Sequence, residues 1–265
     1  MTCSRREILK AAGVVASYSM LETTSTYAAG QPKLGLIFPP KDRGVPEEGL
    51  AMYGSDVEYL VEGLGLPSMT PEGYETVIDK IVPAAETLVT RGAEAIVLMG
   101  TSLSFYKGAA FNQKLTDSIH EATGLPAVTM STGIIEGLKQ VGARRVVAAT
   151  AYNDEVNNRL VSFLGEHGFD VLSIKGLGME AMSGPGRVTT SELIEFSASV
   201  YDTAPDADAI VVSCGGLRTL ETLAPLEERC RVPAVSSTPH ALLAGARLLG
   251  LSGKTLGYGS LLAMQ

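Results

Sequence analysis

The chain has no tryptophan and only three cysteines in 265 residues, too few for a disulfide framework. Its three histidines, His120, His167 and His240, stand far apart, with no H-x-x-x-H pair and no C-x-x-C companion, so no metal site built on His or Cys is expected. Basic residues are outnumbered, 21 Lys and Arg against 29 Asp and Glu, and they gather into no patch. A net charge of −8 repels phosphate backbones, which argues against a nucleic-acid partner. Charged residues are few at 19% while hydrophobic ones reach 45%, a balance that excludes disorder as the main state. No apolar run approaches the ~20 residues a membrane span needs. There is no G-x-S-x-G elbow and no glycine-rich phosphate fingerprint after the first strand, so no cofactor is expected.

What is present begins with an address. Ser4-Arg5-Arg6-Glu7-Ile8-Leu9-Lys10 carries a twin arginine, the mildly apolar Ala11–Leu21 follows, and Thr26-Tyr27-Ala28 supplies small residues for cleavage. Residues 1–29 read as a twin-arginine signal peptide, which predicts a folded protein exported to the periplasm. Cys3 precedes the apolar stretch and leaves with it. Removing the leader leaves 18 basic against 27 acidic residues, a net charge of −9.

From Leu34 onward, short β-branched runs alternate with longer stretches of helical period, the signature of βα units and a parallel sheet. Strands are predicted at Leu34–Phe38, Ala95–Met99, Ala127–Met130, Arg145–Thr150, Asp170–Ile174, Ala209–Ser213 and Ala234–Ser236, with helices such as Gly73–Arg91 and Asn153–His167 between them. Gly92, Gly124, Gly142 and Gly168 stand where helices should end in a left-handed residue. The halves also repeat. Ala95-Ile96-Val97-Leu98-Met99-Gly100-Thr101-Ser102 aligns with Ala209-Ile210-Val211-Val212-Ser213-Cys214-Gly215-Gly216, and Leu125–Thr132 aligns with Val232–Thr238. The predicted class is α/β, two pseudo-symmetric Rossmann-like (flavodoxin-like) lobes with mostly parallel sheets. They span 30–142 and 143–239, with 240–265 packing back on the first. Ligands of such sheets bind at the C-terminal ends of the strands, so the cleft between the lobes is the expected site.

Thr101-Ser102-Leu103-Ser104 and Cys214-Gly215-Gly216 each follow a buried strand, where backbone N–H groups and small polar side chains can cradle a carboxylate. Either alone is an ordinary βα turn with N-capping residues; two facing loops, one bearing a thiol, are a more specific arrangement. In the repeat Gly100 stands opposite Cys214. Cys230, before the strand-opening Val232-Pro233, reads as structural, and a Cys214–Cys230 disulfide is geometrically doubtful. The histidines lend no support to a hydrolase. A thiol at a helix N-terminus tends toward thiolate, whereas a proton donor must stay protonated.

These segments resemble the arylmalonate decarboxylases of the aspartate/glutamate racemase superfamily. The resemblance covers essentially the whole mature chain and includes Gly35–Pro40, Gly63–Leu66, Thr70–Tyr74, Met99–Tyr106, Gly108–Asn112, Thr129–Thr132, Ala149–Tyr152, Glu180–Met182 and Ser213–Leu217. Racemases of the superfamily carry a cysteine in each half; Gly100 leaves this chain with one, enough for a decarboxylase. The resemblance implies cofactor-independent decarboxylation of α-aryl or alkenyl malonates to chiral monocarboxylic acids, with Cys214 as proton donor. It further implies a dioxyanion hole from Thr101, Ser102, Tyr152 and Gly215, and an apolar pocket from Pro39, Leu66, Met69, Leu103, Met179 and Met182. The implied partner is a small-molecule malonate, with no membrane attachment after signal removal, and the implied state is a monomer or small homo-oligomer. Met69 and Met179 are bulkier than the valines of the family pattern, and Ser183–Arg187 looks like an insertion beside them. The alternatives from the residues are a racemase or maleate-type isomerase, and a periplasmic dicarboxylate-binding protein.

Overall fold

The structure is a computed structural model, and residues 30–264 are described. The twin-arginine segment and Cys3 lie outside the described residues. The elements run β1 (Lys33–Phe38), α1 (Glu47–Tyr53), β2 (Glu58–Gly63), α2 (Pro71–Glu75), α3 (Ile81–Thr90), β3 (Ala95–Leu98), α4 (Thr101–Phe105), α5 (Ala109–Thr123), β4 (Ala127–Thr129) and α6 (Met130–Gln140). The second half continues with β5 (Arg145–Thr150), α7 (Asp154–Glu166), β6 (Asp170–Gly176), α8 (Thr190–Tyr201), β7 (Ala209–Ser213), α9 (Leu220–Cys230), β8 (Ala234–Ser236), α10 (Ser237–Leu248) and α11 (Ser260–Ala263). The four glycines predicted to end helices all have φ between 69° and 89°, a region that costs glycine nothing.

Two four-stranded parallel sheets result, ordered β2-β1-β3-β4 and β6-β5-β7-β8. The fold is therefore α/β with two lobes built on one plan. Leu34 pairs with Ala95 in the first sheet as Val146 pairs with Ala209 in the second, and Ile96 pairs with Ala127 as Ile210 pairs with Ala234. The repeat extends to side chains: Glu94 accepts the Lys33 N–H at 3.0 Å, and Asp208 accepts that of Arg145 at 2.8 Å. Central strands β3 and β7 are buried along their whole length, consistent with their runs of Ala, Ile and Val.

Two local expectations need correction. Strand β2 is absent from the sequence reading: Glu58 and Glu62 mask its pattern, and only its register with β1 identifies it. The single helix expected over Gly73–Arg91 is broken into α2, a 3₁₀ turn at Ile78–Lys80, and α3. Pro83 is the reason: it has no N–H to donate to the Asp79 carbonyl, and it is best accommodated in the first turn of a helix, where α3 places it.

The lobes also exchange helices. Gly245 of α10 lies so close to the first sheet that a Cβ there would meet Val97 at 2.7 Å and Leu34 at 2.8 Å. Reciprocally, Gly137 of α6 lies against Val235 of β8 and Leu261, each 3.0 Å from a would-be Cβ. Helices α6 and α10 pack on each other as well. This crossing ties the two sheets together and brings the C-terminal ends of β3 and β7 to one cleft. No helix of the described residues is long and apolar enough to cross a membrane.

Candidate active site

Chain direction ends β3 at Met99-Gly100-Thr101 and β7 at Ser213-Cys214-Gly215, on facing walls of a cavity of about 450 Å³. Cys214, Thr101, Ser102 and Gly215 line it, together with Pro39, Leu66, Met69 and Met182. Gly100 lines it opposite the thiol. Three residues named with them from sequence are not on its walls. Leu103 is fully buried behind Gly100, its Cβ 3.1 Å from where a Gly100 Cβ would stand. Met179 lies one layer out, its sulfur against Gly184 and its N–H bonded to the Ala151 carbonyl at 2.8 Å. Tyr152 is buried behind the thiol, with its hydroxyl 3.2 Å from Ser213 Oγ and within reach of Thr101. The segment Ser183–Arg187 forms part of the wall: Pro185 lines the cavity and presses on Gly216.

The two loops are locked to each other by Ser237, a residue the sequence reading passed over. Its hydroxyl accepts the Cys214 backbone N–H at 3.0 Å and lies 3.0 Å from Thr101 Oγ1. Its signal was available, since Ser237 occupies the repeat position held by Met130 in the first half, and Met130 Sδ lies 2.7 Å from Thr101 Oγ1. Tyr74 was also missed as a site residue. Helix α2, capped by Thr70, buries it completely, with its hydroxyl directed at Ser102 and no partner satisfying it among the described residues. The loop leading from Cys214 into α9 is held across the lobes by Glu48 of α1. One carboxylate oxygen of Glu48 accepts the Thr219 N–H at 2.7 Å and the Leu220 N–H at 2.8 Å.

Burial pushes the Cys214 thiol up to about 11, against the opposing pull of the Gly216 and Leu217 N–H groups, the Arg43 charge and the Tyr152 hydroxyl. Gly216 N–H reaches the sulfur at 3.4 Å. The expected conflict between a helix terminus and a protonated thiol does not arise, because α9 starts only at Leu220 and residues 214–219 form a loop. The Tyr152 hydroxyl is likewise driven well above its usual value, first by burial and then by the neighbouring thiol. Cys214 and Cys230 are both free and buried. None of the histidines lines the cavity. His240 sits in the first turn of α10 with Nδ1 against the Ser236 backbone, and burial pushes it down to about 4. Among the described residues, no cluster of three His, Cys, Asp or Glu could hold a metal ion.

The arrangement can therefore hold a carboxylate among neutral donors, keep an adjacent group in apolar surroundings, and present one protonated thiol to one face of the bound carbon. Known proteins resemble the chain over most of its length. The arylmalonate decarboxylase of Bordetella bronchiseptica is 45% identical over 234 residues, covering 88% of this chain and 97% of that protein. A solved glycine-to-cysteine, cysteine-to-serine double variant of arylmalonate decarboxylase in its liganded form superposes with a TM-score of 0.85. It is 44% identical and covers 87% of this chain and 98% of its own. The maleate isomerase Iso of Pseudomonas putida S16 has a TM-score of 0.82 at 19% identity, over 88% of this chain and 98% of its own, a likeness of fold alone. The profile of the arylmalonate decarboxylase family matches residues 34–262, and with that match the chain belongs to the arylmalonate decarboxylase family, making it a carboxy-lyase.

Proposed function

We propose that this decarboxylase acts on α-aryl or alkenyl malonates without a cofactor and releases monocarboxylic acids of one favoured configuration. The carboxylate that stays is held by Thr101, Ser102 and the Gly215 N–H, with Tyr152 supporting Thr101 from behind the wall. Loss of CO2 turns it into an enediolate, and preorganised donors aimed at such developing charge are worth about 3–4 kcal/mol each. An aryl or alkenyl substituent spreads that charge further. The departing carboxylate faces Pro39, Leu66, Met69 and Met182, where poor solvation favours neutral CO2, with Leu103 and Met179 supporting that wall from behind. Cys214 then gives its proton to the enediolate carbon, and the thiolate recovers a proton from solvent.

The observation that carries this reading is the single thiol: Cys214 stands where the repeat has Gly100 on the facing wall. Delivery of a proton from one face is available, and exchange between two faces is not, which disfavours the racemase or isomerase reading. The twin-arginine leader supports export of the folded enzyme to the periplasm. The test supplies phenylmalonate to the purified protein in EDTA and follows proton uptake and CO2 release, with Cys214→Ser beside it. Turnover by the wild type and at least a 100-fold loss in Cys214→Ser is expected. Tight malonate binding by both proteins with turnover by neither would instead support a binding protein.

A further inference from the structure

The cavity presents a problem of charge. A malonate enters as a dianion, whereas the groups that receive it, Thr101, Ser102 and backbone N–H groups, are neutral, and much of the remaining wall is apolar. Burying two negative charges against neutral donors alone is costly, and the chain from residue 30 on carries a net charge of −9 that repels the substrate.

Among the described residues, one charged side chain lines this cavity: Arg43, from the loop between β1 and α1. It is half-buried, with its guanidinium 5.7 Å from the centre of the Phe38 ring. Seven ion pairs join other residues of the described chain and none involves Arg43; no hydrogen bond engages its side chain there either. Its N–H donors therefore remain available. Arg43 also lines a second, larger cavity of about 1080 Å³ next to the first, with Gly216 shared between them. Two of the three carboxylates of that second cavity are engaged: Glu48 caps the start of α9 and Glu47 pairs with Arg218 at 3.3 Å, while Glu221 lies in the first turn of α9 and makes no ion pair with Arg43. The Arg43 charge is felt as far as the Cys214 thiol.

We propose that Arg43 is the residue that recognises the double negative charge of the substrate, admitting it from the larger cavity and holding it at the wall of the thiol cavity. This rests on the decarboxylase reading above. In the reaction the dianion becomes an enediolate dianion plus neutral CO2, so the charge facing Arg43 stays at two until the thiol proton arrives. A cation that feels this total charge stabilises ground state and transition state alike, which affects KM and leaves kcat in place.

The experiment measures KM and kcat for phenylmalonate, and Ki for the monoanionic product phenylacetate, in wild type, Arg43→Gln and Arg43→Lys across a salt series. Arg43→Gln should raise KM about tenfold, equivalent to ~1.4 kcal/mol, with kcat changed less than about threefold. Phenylacetate Ki should move less than about threefold, the fall of kcat/KM with salt should flatten, and Arg43→Lys should recover most of KM. A merely structural arginine would move KM and Ki together. The proposal is overturned if KM shifts less than threefold, if Ki rises as much as KM, or if kcat falls at constant KM. A wild type that turns over no phenylmalonate sinks the decarboxylase reading separately. Calorimetric phenylmalonate binding then decides for Arg43: tenfold weaker binding by Arg43→Gln supports it, and equal or absent binding overturns it.

Discussion

Raising the pH titrates Cys214 in a window that its surroundings set. The thiol's ordinary value of 9.0 is pushed up to about 11 by burial. Two units correspond to roughly 100-fold less thiolate at any pH below 9. Iodoacetamide at pH 8 should thus label Cys214 about 100-fold more slowly than a free thiol, since only the thiolate reacts. As a proton donor, Cys214 should hold kcat/KM for phenylmalonate level from about pH 7 to 10 and lose about tenfold per unit beyond 11. Stability follows the same group. The folded chain keeps the proton up to about 11, whereas the unfolded chain releases it near 9.0. The folded state therefore binds more protons between those values, and stability falls as pH rises through them, by up to about 3 kcal/mol. Urea midpoints between pH 8.5 and 10.5 should carry this slope in wild type and lose it in Cys214→Ser. A descending limb centred at or below pH 9, with labelling as fast as a free thiol, would mean that the Gly216 and Leu217 N–H groups outweigh burial. A rate still rising above pH 9 would refute the donor role itself.

Gly100→Cys sets a second thiol opposite the first, and should introduce solvent-deuterium exchange into α-aryl propionates while impairing decarboxylation. Absence of deuterium in the recovered acid, by mass spectrometry, would count against the two-faced geometry. The same variant should lose about 1–3 kcal/mol of stability by thermal unfolding, because its Cβ meets Pro39 Cγ at 2.9 Å and Leu103 Cβ at 3.1 Å. His240, ordinarily 6.5 and pushed down to about 4 by burial, binds fewer protons folded than unfolded in that window. Stability should therefore fall as pH drops from 6.5 to 4, by up to about 3 kcal/mol. Urea unfolding of His240→Leu should show a shallower acid slope than wild type, and equal slopes would contradict the assignment.

Local and periodic features were legible in the sequence. Alternation of β-branched runs with helical stretches specified an α/β chain, and glycines that must take positive φ marked where helices stop. The repeat aligned Gly100 with Cys214, and the two strand ends that carry them line one cavity. These readings succeed because they depend on residues near one another in the chain, or on one unit folding twice. Where the local pattern was ambiguous it failed: acidic residues hid β2, and Pro83 divided what looked like one helix.

Contacts between distant segments were decided only by the tertiary structure. The exchange of α6 and α10 draws the strand ends together, and it depends on glycines at two close approaches that no periodicity reveals. Ser237 joins the two loops from a helix start more than a hundred residues beyond Thr101, and Arg43 reaches the cavity, and Tyr74 stands behind Ser102, from elements the repeat does not relate to it. Whether Leu103, Met179 and Tyr152 line the cavity or stand behind it is a matter of a few ångströms of packing. The protonation of Cys214 is of the same kind, because it follows from how completely the folded chain removes water from that sulfur.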